Sequence, residues 1–141
     1  MNSLISDIII SKENKITVPD GDIYHALKKS DIGFNTFGEA YFSFIKYNKI
    51  KAWKKHRLMT LNLLVPIGSV KFVFFDNNKF KVHIIGQDHY FRLTVPPGIW
   101  FGFQGLSKGE NLIINIADIN HSDKEVEKKN IDQINYEWKK Y

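Results

Sequence analysis

The sequence predicts an all-β protein, built as a small barrel or sandwich of short strands. From residue 50 onward, apolar or alternating runs of strand length recur with turn signals between them, and no segment shows the period of a long helix. The corners "PIG" and "PPG" add a second indication, because proline fixes φ and glycine permits positive φ. Strands are therefore predicted at 58–65, 69–76, 79–85, 89–95, 100–106 and 111–119.

The two ends of the chain give weaker signals. Residues 5–18 predict two short strands, and the aromatic run 38–47 favours another. Ser122, with Glu125 three residues on, has the pattern of a helix capping box, so 122–133 is predicted to be a short polar helix or loop. A length of 141 residues fits one domain spanning 1–141.

Composition excludes several classes of site. The chain has no cysteine, which rules out disulfides and cysteine-based metal sites. No run reaches the ~18 apolar residues of a membrane helix, and the first residues lack the pattern of a signal peptide, so we expect a cytoplasmic protein without membrane contact.

The net charge of +5, almost all from lysine, suits a phosphate-bearing ligand. A nucleic-acid-binding barrel is the weakest alternative, because basic and aromatic residues do not alternate along one surface.

The spacing of the two corners resembles that of the cupins, double-stranded β-helix jelly-roll barrels. Many cupins bind a metal through a His-x-His pair, a Glu and a later His. Here His56 stands alone among basic residues, and the "PPG" corner is followed by Ile99, Trp100, Phe101 and Gly102. A transition metal needs about three protein ligands, so we predict a barrel without a metal or other cofactor.

Five segments resemble the dTDP-4-dehydrorhamnose 3,5-epimerase family in their order and spacing: "KAWKKH", "LNLLVPIGSVKFVFFD", "DHYFRLTVPPGIWFGFQGLS", "LIINIADINHS" and "IDQINYEW". The resemblance runs from about Gly21 to Trp138 and implies a metal-independent cupin that acts on nucleotide-linked 4-keto sugars in surface-polysaccharide synthesis. In such a sugar the ketone acidifies the neighbouring C–H bonds. A base removes one proton, and an acid returns one on the opposite face.

The resemblance also implies catalytic residues. His56 matches the base, which an aspartate in the closing segment orients in this family; Asp132 is the candidate here. The basic residues around His56, namely Lys54, Lys55 and Arg57, are candidates for holding the diphosphate. Because side chains alternate along a strand, Lys54 is expected to share the face of His56, while Lys55 and Arg57 point the other way.

Four further residues are candidates for substrate contact. Trp53 and Trp100 could stack on a sugar or nucleotide base, although aromatic residues often fill barrel cores. Arg92 lies in an apolar strand and calls for a carboxylate or phosphate partner, either in the ligand or within the chain. Asn115 lies on the late strand where the family places its proton donor.

Two positions depart from the family pattern. Ile114 stands near the place of the family's catalytic tyrosine, and Phe101 replaces a usual histidine. Tyr41, Asn115 and Asp118 are the alternatives for the missing acid. A second hypothesis follows, namely a nucleotide-sugar-binding cupin that has lost catalysis.

The resemblance implies a homodimer as well. The apolar segment 5–10 is the sort of free strand that pairs across subunits.

Overall fold

The computed structural model describes residues 3–141, which form twelve β-strands and three 3₁₀ turns and contain no α-helix. The 3₁₀ turns lie at Ile5–Asp7, Asp123–Glu125 and Ile131–Gln133. The strands are β1 (Ile9–Lys12), β2 (Lys15–Ile16), β3 (Ile23–Tyr24), β4 (Glu39–Phe44), β5 (Ile50–His56), β6 (Leu61–Ile67), β7 (Ser69–Asp76), β8 (Lys79–Gly86), β9 (Phe91–Val95), β10 (Trp100–Gly105), β11 (Leu112–Ala117) and β12 (Val126–Lys128).

Ten of these strands form two antiparallel five-stranded sheets. The first sheet has the order β1-β9-β6-β11-β4, and the second has the order β12-β5-β10-β7-β8. Strands β2 and β3 form a separate hairpin. The chain crosses between the sheets repeatedly, which confirms the predicted all-β jelly-roll.

The two predicted corners are sites where the chain changes sheets. β6 leads into β7 through Gly68, at φ +81°, and β9 leads into β10 through Gly98, at φ +92°. Both glycines thus have the left-handed conformation that the corner motif predicts. At Gly68 a side chain would also collide, since a Cβ atom would lie 2.3 Å from the carbonyl oxygen of Glu110.

Two apolar clusters hold the sheets in place. The main core lies between them and includes Leu63, Phe72, Phe74 and Leu93. A second cluster covers the outer face of the second sheet, where Ile134, Tyr136 and Trp138 of the C-terminal segment pack on Trp53 and Val73. The C-terminal segment is thereby fixed against the sheet that carries His56.

Arg92 is a structural residue of the first sheet, which corrects its assignment to the substrate. Its side chain is 1% exposed and donates from Nε to Glu13 Oε2 at 2.9 Å. Its other nitrogens donate to Asn62 Oδ1 at 2.6 Å, to Thr94 Oγ1 at 2.9 Å and to the carbonyl of Ile32 at 3.1 Å. The arginine thus finds its carboxylate partner within the chain.

The structure differs from the predictions at both ends. Segment 122–133 is not a helix but two 3₁₀ turns flanking β12, which pairs with β5. Segment 5–10 is not one strand, because Ile5–Asp7 is a 3₁₀ turn and Ile9 begins β1, which pairs with β9 at the edge of the first sheet. Its pairing across subunits stays a prediction. Within residues 3–141, no helix is long and apolar enough to cross a membrane.

Candidate active site

A cavity of about 520 Å³ opens between the two sheets at the end where His56 lies. Its apolar floor comes from the core, and its polar walls come from β4, β5, β11 and segment 128–133. The lining residues that matter for chemistry are Tyr41, Ser43, Lys51, Lys54, His56, Phe101, Asn115, Lys128 and Lys129.

His56 is paired with a buried carboxylate. Its Nδ1 lies 2.5 Å from Oε2 of Glu125, and both side chains are less than a tenth exposed. The second oxygen of Glu125 accepts hydrogen bonds from the backbone N–H groups of Leu58, at 3.1 Å, and Met59, at 3.0 Å. The carboxylate therefore selects the tautomer in which Nδ1 carries the proton, and it leaves Nε2 as the basic nitrogen.

Two opposing effects set the protonation of this pair. Burial lowers the pKa of His56 below its ordinary 6.5, and it outweighs the hydrogen bond and charge of Glu125, which act in the other direction. For Glu125, burial raises the pKa, but the hydrogen bonds from His56, Leu58 and Met59 bring it below 4.5. At neutral pH the site therefore combines a neutral imidazole with an ionised carboxylate, as a general base requires.

The partner of His56 is thus Glu125, and the expected pairing with Asp132 is wrong. Asp132 lies exposed in the 3₁₀ turn Ile131–Gln133. Glu125 escaped sequence analysis because its spacing from Ser122 resembles a capping box. In the structure the hydroxyl of Ser122 does accept from the N–H of Lys124, while the Glu125 side chain turns inward to the imidazole.

A tyrosine faces the cavity from the opposite sheet. Tyr41 on β4 pairs in register with Asn115 on β11, and the Nδ2 of Asn115 donates to the Tyr41 hydroxyl at 3.2 Å. A hydroxyl that accepts a hydrogen bond keeps its own proton for donation. Asp118 is unsuited to the same role, because its carboxylate accepts from Thr60 N and Asn35 Nδ2.

Three lysines make the cavity a site for anions. Lys51 and Lys54 come from β5, and Lys128 is the last residue of β12. Lys129 also borders the cavity, but its ammonium group lies over the ring of Trp100 on the outer face. Burial lowers the pKa of Lys54, and the charges of Lys128 and Lys51 lower it further. A bound anion would relieve this mutual repulsion.

Strand alternation separates the basic residues as expected. Lys54 lines the cavity together with His56. Lys55 and Arg57 lie outside it and pair with Glu127 on β12, at 3.2 Å and 3.6 Å. Arg57 is therefore an exposed residue outside the cavity lining, beside Glu127 of β12, and its contact with the substrate stays a prediction.

The two tryptophans do not form a stacking surface in the cavity. Trp53 borders it, but its indole is 2% exposed and packs against Trp138 and Tyr136 on the outer face. Trp100 also lies on that face, with the ammonium groups of Lys55 and Lys129 at 5.2 Å and 4.8 Å from its ring centre. Both tryptophans therefore belong to the apolar cluster against which the C-terminal segment packs.

Within residues 3–141, no three His, Asp or Glu side chains are grouped so that they could hold a metal ion. The cavity instead contains one imidazole–carboxylate pair, one tyrosine and several lysines.

Solved structures resemble this chain over nearly its whole length. A dTDP sugar isomerase from Desulfovibrio desulfuricans G20 is 31% identical, with a TM-score of 0.90, and the match covers 94% of this chain and 90% of that one. The chain belongs to the dTDP-sugar isomerase family.

Two further solved structures share the fold. A sugar 3,4-ketoisomerase from Thermoanaerobacterium thermosaccharolyticum is 16% identical, with a TM-score of 0.77 and coverage of 89% of this chain and 90% of that one. A dTDP-4-dehydrorhamnose 3,5-epimerase from Sulfolobus tokodaii is 17% identical, with a TM-score of 0.80 and coverage of 96% and 84%. No protein-family model and no curated protein matches the chain.

These comparisons confirm the resemblance seen in the sequence and the cupin-like fold. They support an enzyme of the epimerase or isomerase type that acts on a dTDP-sugar.

The buried pair makes the stability of this family member depend on pH. Because His56 has a lowered pKa in the folded state, the unfolded chain binds a proton first as the pH falls below 6.5. The folded protein must then lose stability, with a slope of up to about 1.4 kcal/mol per pH unit for each proton. The pKa of Glu125 is also lowered in the folded state, so the folded protein loses further stability as the pH falls below 4.5.

Urea unfolding between pH 7 and pH 5 measures this slope. His56→Gln is expected to reduce it, and His83→Gln serves as the comparison because burial lowers the pKa of His83 too. The double variant should show the flattest profile. An unchanged slope in His56→Gln would contradict the protonation states given above.

Proposed function

We propose that this protein isomerises or epimerises a dTDP-linked 4-keto-6-deoxyhexose by moving a proton at a carbon next to the ketone. The observation that carries the proposal is the arrangement of the His56–Glu125 pair on one wall of the cavity and Tyr41 on the other. A base and an acid on opposite walls can reach opposite faces of one sugar ring.

The first step is proton abstraction. Nε2 of His56 takes the proton from the carbon beside the ketone, and the C–H electron pair forms a C=C bond while the carbonyl oxygen becomes an enolate oxygen. The Glu125 carboxylate stabilises the imidazolium that results. Tyr41 then donates its hydroxyl proton to the opposite face, the carbonyl re-forms, and solvent restores both residues.

The lysines suit the nucleotide end of the substrate. A diphosphate carries the charge that Lys51, Lys54 and Lys128 would neutralise, and a lysine acts on it as a point charge. The related 3,4-ketoisomerase was solved with TDP and, as a variant, with TDP-4-keto-6-deoxyglucose. A cavity of about 520 Å³ is within the size range of small-ligand sites.

Proton exchange with deuterated water tests the mechanism. When dTDP-4-keto-6-deoxyglucose is incubated with the wild-type protein, NMR should show deuterium entering beside the ketone. His56→Asn should abolish that exchange, since the base is gone. Tyr41→Phe should retain exchange while product formation falls by about 10²-fold or more, because only the acid is lost.

Tyr24→Phe is the matched control, because Tyr24 packs at a tilt against Tyr90 and does not line the cavity. The position of the label identifies the reaction. Deuterium at one or two ring carbons with inversion indicates an epimerase, whereas a shifted ketone indicates a ketoisomerase. Full exchange in His56→Asn would refute the assignment of the base.

The second candidate is a nucleotide-sugar-binding protein without catalysis. It is favoured by Ile114 and Phe101, which replace two polar residues of the epimerase pattern. Calorimetry would then show dTDP binding, weakened by Lys54→Gln, while the wild-type protein gives no exchange on any 4-keto sugar. Wild-type exchange would eliminate this candidate.

We propose further that two copies associate through β4. This strand ends the first sheet, so its outer edge has no partner strand within residues 3–141, and Phe42 and Phe44 on its outer face are 67% and 53% exposed. Two such edges can pair antiparallel about a two-fold axis. That pairing brings Glu39 at the start of one strand towards Lys46, just beyond the end of the other.

Light scattering should give twice the chain mass of 16.5 kDa for the wild type. Phe42→Glu should shift the mass to that of one chain, because it places a charge in the apolar contact. Ile23→Glu is the control, since Ile23 is a similarly exposed apolar residue on β3. A monomeric wild type, or an unaffected Phe42→Glu, would contradict the proposal.

The proposed setting is surface-polysaccharide synthesis in the cytoplasm, as the family resemblance and the absence of cysteine suggest. Loss of the gene should then remove a deoxysugar from the surface polysaccharide. An unchanged sugar composition would argue against this setting.

A further inference from the structure

A β-bulge lies beside the base. β10 pairs with β5, but the register shifts between Phe101, which lies opposite Lys54, and Gly102, which lies opposite Ala52. A bulge redirects the side chain next to it. The glycine is required there, since a Cβ atom at Gly102 would lie 2.6 Å from the Cβ of Ala52.

Beside this bulge, whose extra residue is Trp53 on β5, the ring of Phe101 faces the imidazole of His56. The two rings stack with centroids 6.1 Å apart and an interplanar angle of 19°. Phe74 supports Phe101 from the core, with its ring centroid 6.3 Å away. Phe101 is 7% exposed and lines the cavity, so it separates the imidazole from water on this side.

We propose that Phe101 is a positioning residue for the base: its ring excludes water from His56 and holds the imidazole plane so that Nε2 faces the substrate. The inference rests on the proposed role of His56. This role would explain why Phe101, an apolar ring, stands at this corner where the family pattern has a histidine.

The electrostatic surroundings agree with this role. Burial is the largest cause of the lowered pKa of His56. The charged or titratable groups that act on the imidazole are Glu125, which raises its pKa, and Lys54 and His121, which lower it. An apolar ring on the remaining side favours the neutral imidazole without adding a charge.

Titration of His56 in the free protein by NMR tests the inference directly. In Phe101→Leu, water should reach the imidazole and its pKa should rise towards 6.5. Phe101→Tyr keeps the ring and should titrate like the wild type. The control is Phe103→Leu, because that ring belongs to the same strand but packs on Phe72. It should leave the titration of His56 unchanged.

Kinetics supply the second readout. Phe101→Leu should lower kcat about tenfold with little change in KM, and the acid limb of its pH profile should move to higher pH. If Phe101→Leu does not fold, Phe101→Met replaces it, since methionine fills the space without a ring.

Equal His56 titrations in the wild type and the ring-less variant, or an equal shift in Phe103→Leu, would overturn the inference. A protein that binds dTDP but turns over no 4-keto sugar would refute the proposed function instead. The titration would still decide whether Phe101 shields His56.

Discussion

The hydrogen bond between His56 Nδ1 and Glu125 Oε2 determines how the rest of the site is organised. It links β5 to the turn before β12, and it thereby connects the base to the segment 128–133 that lines one wall of the cavity. Two backbone N–H groups complete the shell of Glu125, which makes ionisation of this buried carboxylate favourable. Backbone pairing with β5 sets the register of β12, and the surface ion pairs of Glu127 add little energy to it.

The jelly-roll divides the proposed chemistry between two walls. The second sheet supplies His56 and Lys54, and the first supplies Tyr41 and Asn115, with an apolar floor between them. The corners at Gly68 and Gly98 set this arrangement, because each carries the chain from the first sheet into the second. A rigid barrel can in this way present a base and an acid to opposite faces of one ring.

The fold was predictable from the sequence, whereas only part of the site was. Strand periodicity and the two glycine corners predicted the barrel. Alternation along β5 predicted that Lys54 and Arg57 lie on opposite faces of the strand. Arg92 and Trp100 were ambiguous because a buried ion pair and a packed indole use the same residue types as a ligand site. Glu125 was missed because its partner is 69 residues away, and local spacing offered a capping role instead.

The central claim is that Glu125, rather than Asp132, orients the base. The decisive measurement is the deuterium exchange rate at the carbon beside the ketone for Glu125→Gln and Asp132→Asn, two matched neutralisations. We expect a loss of at least about a hundredfold in Glu125→Gln, because an amide no longer fixes the tautomer or stabilises the imidazolium. Asp132→Asn should exchange at the wild-type rate. The opposite ranking would contradict the account.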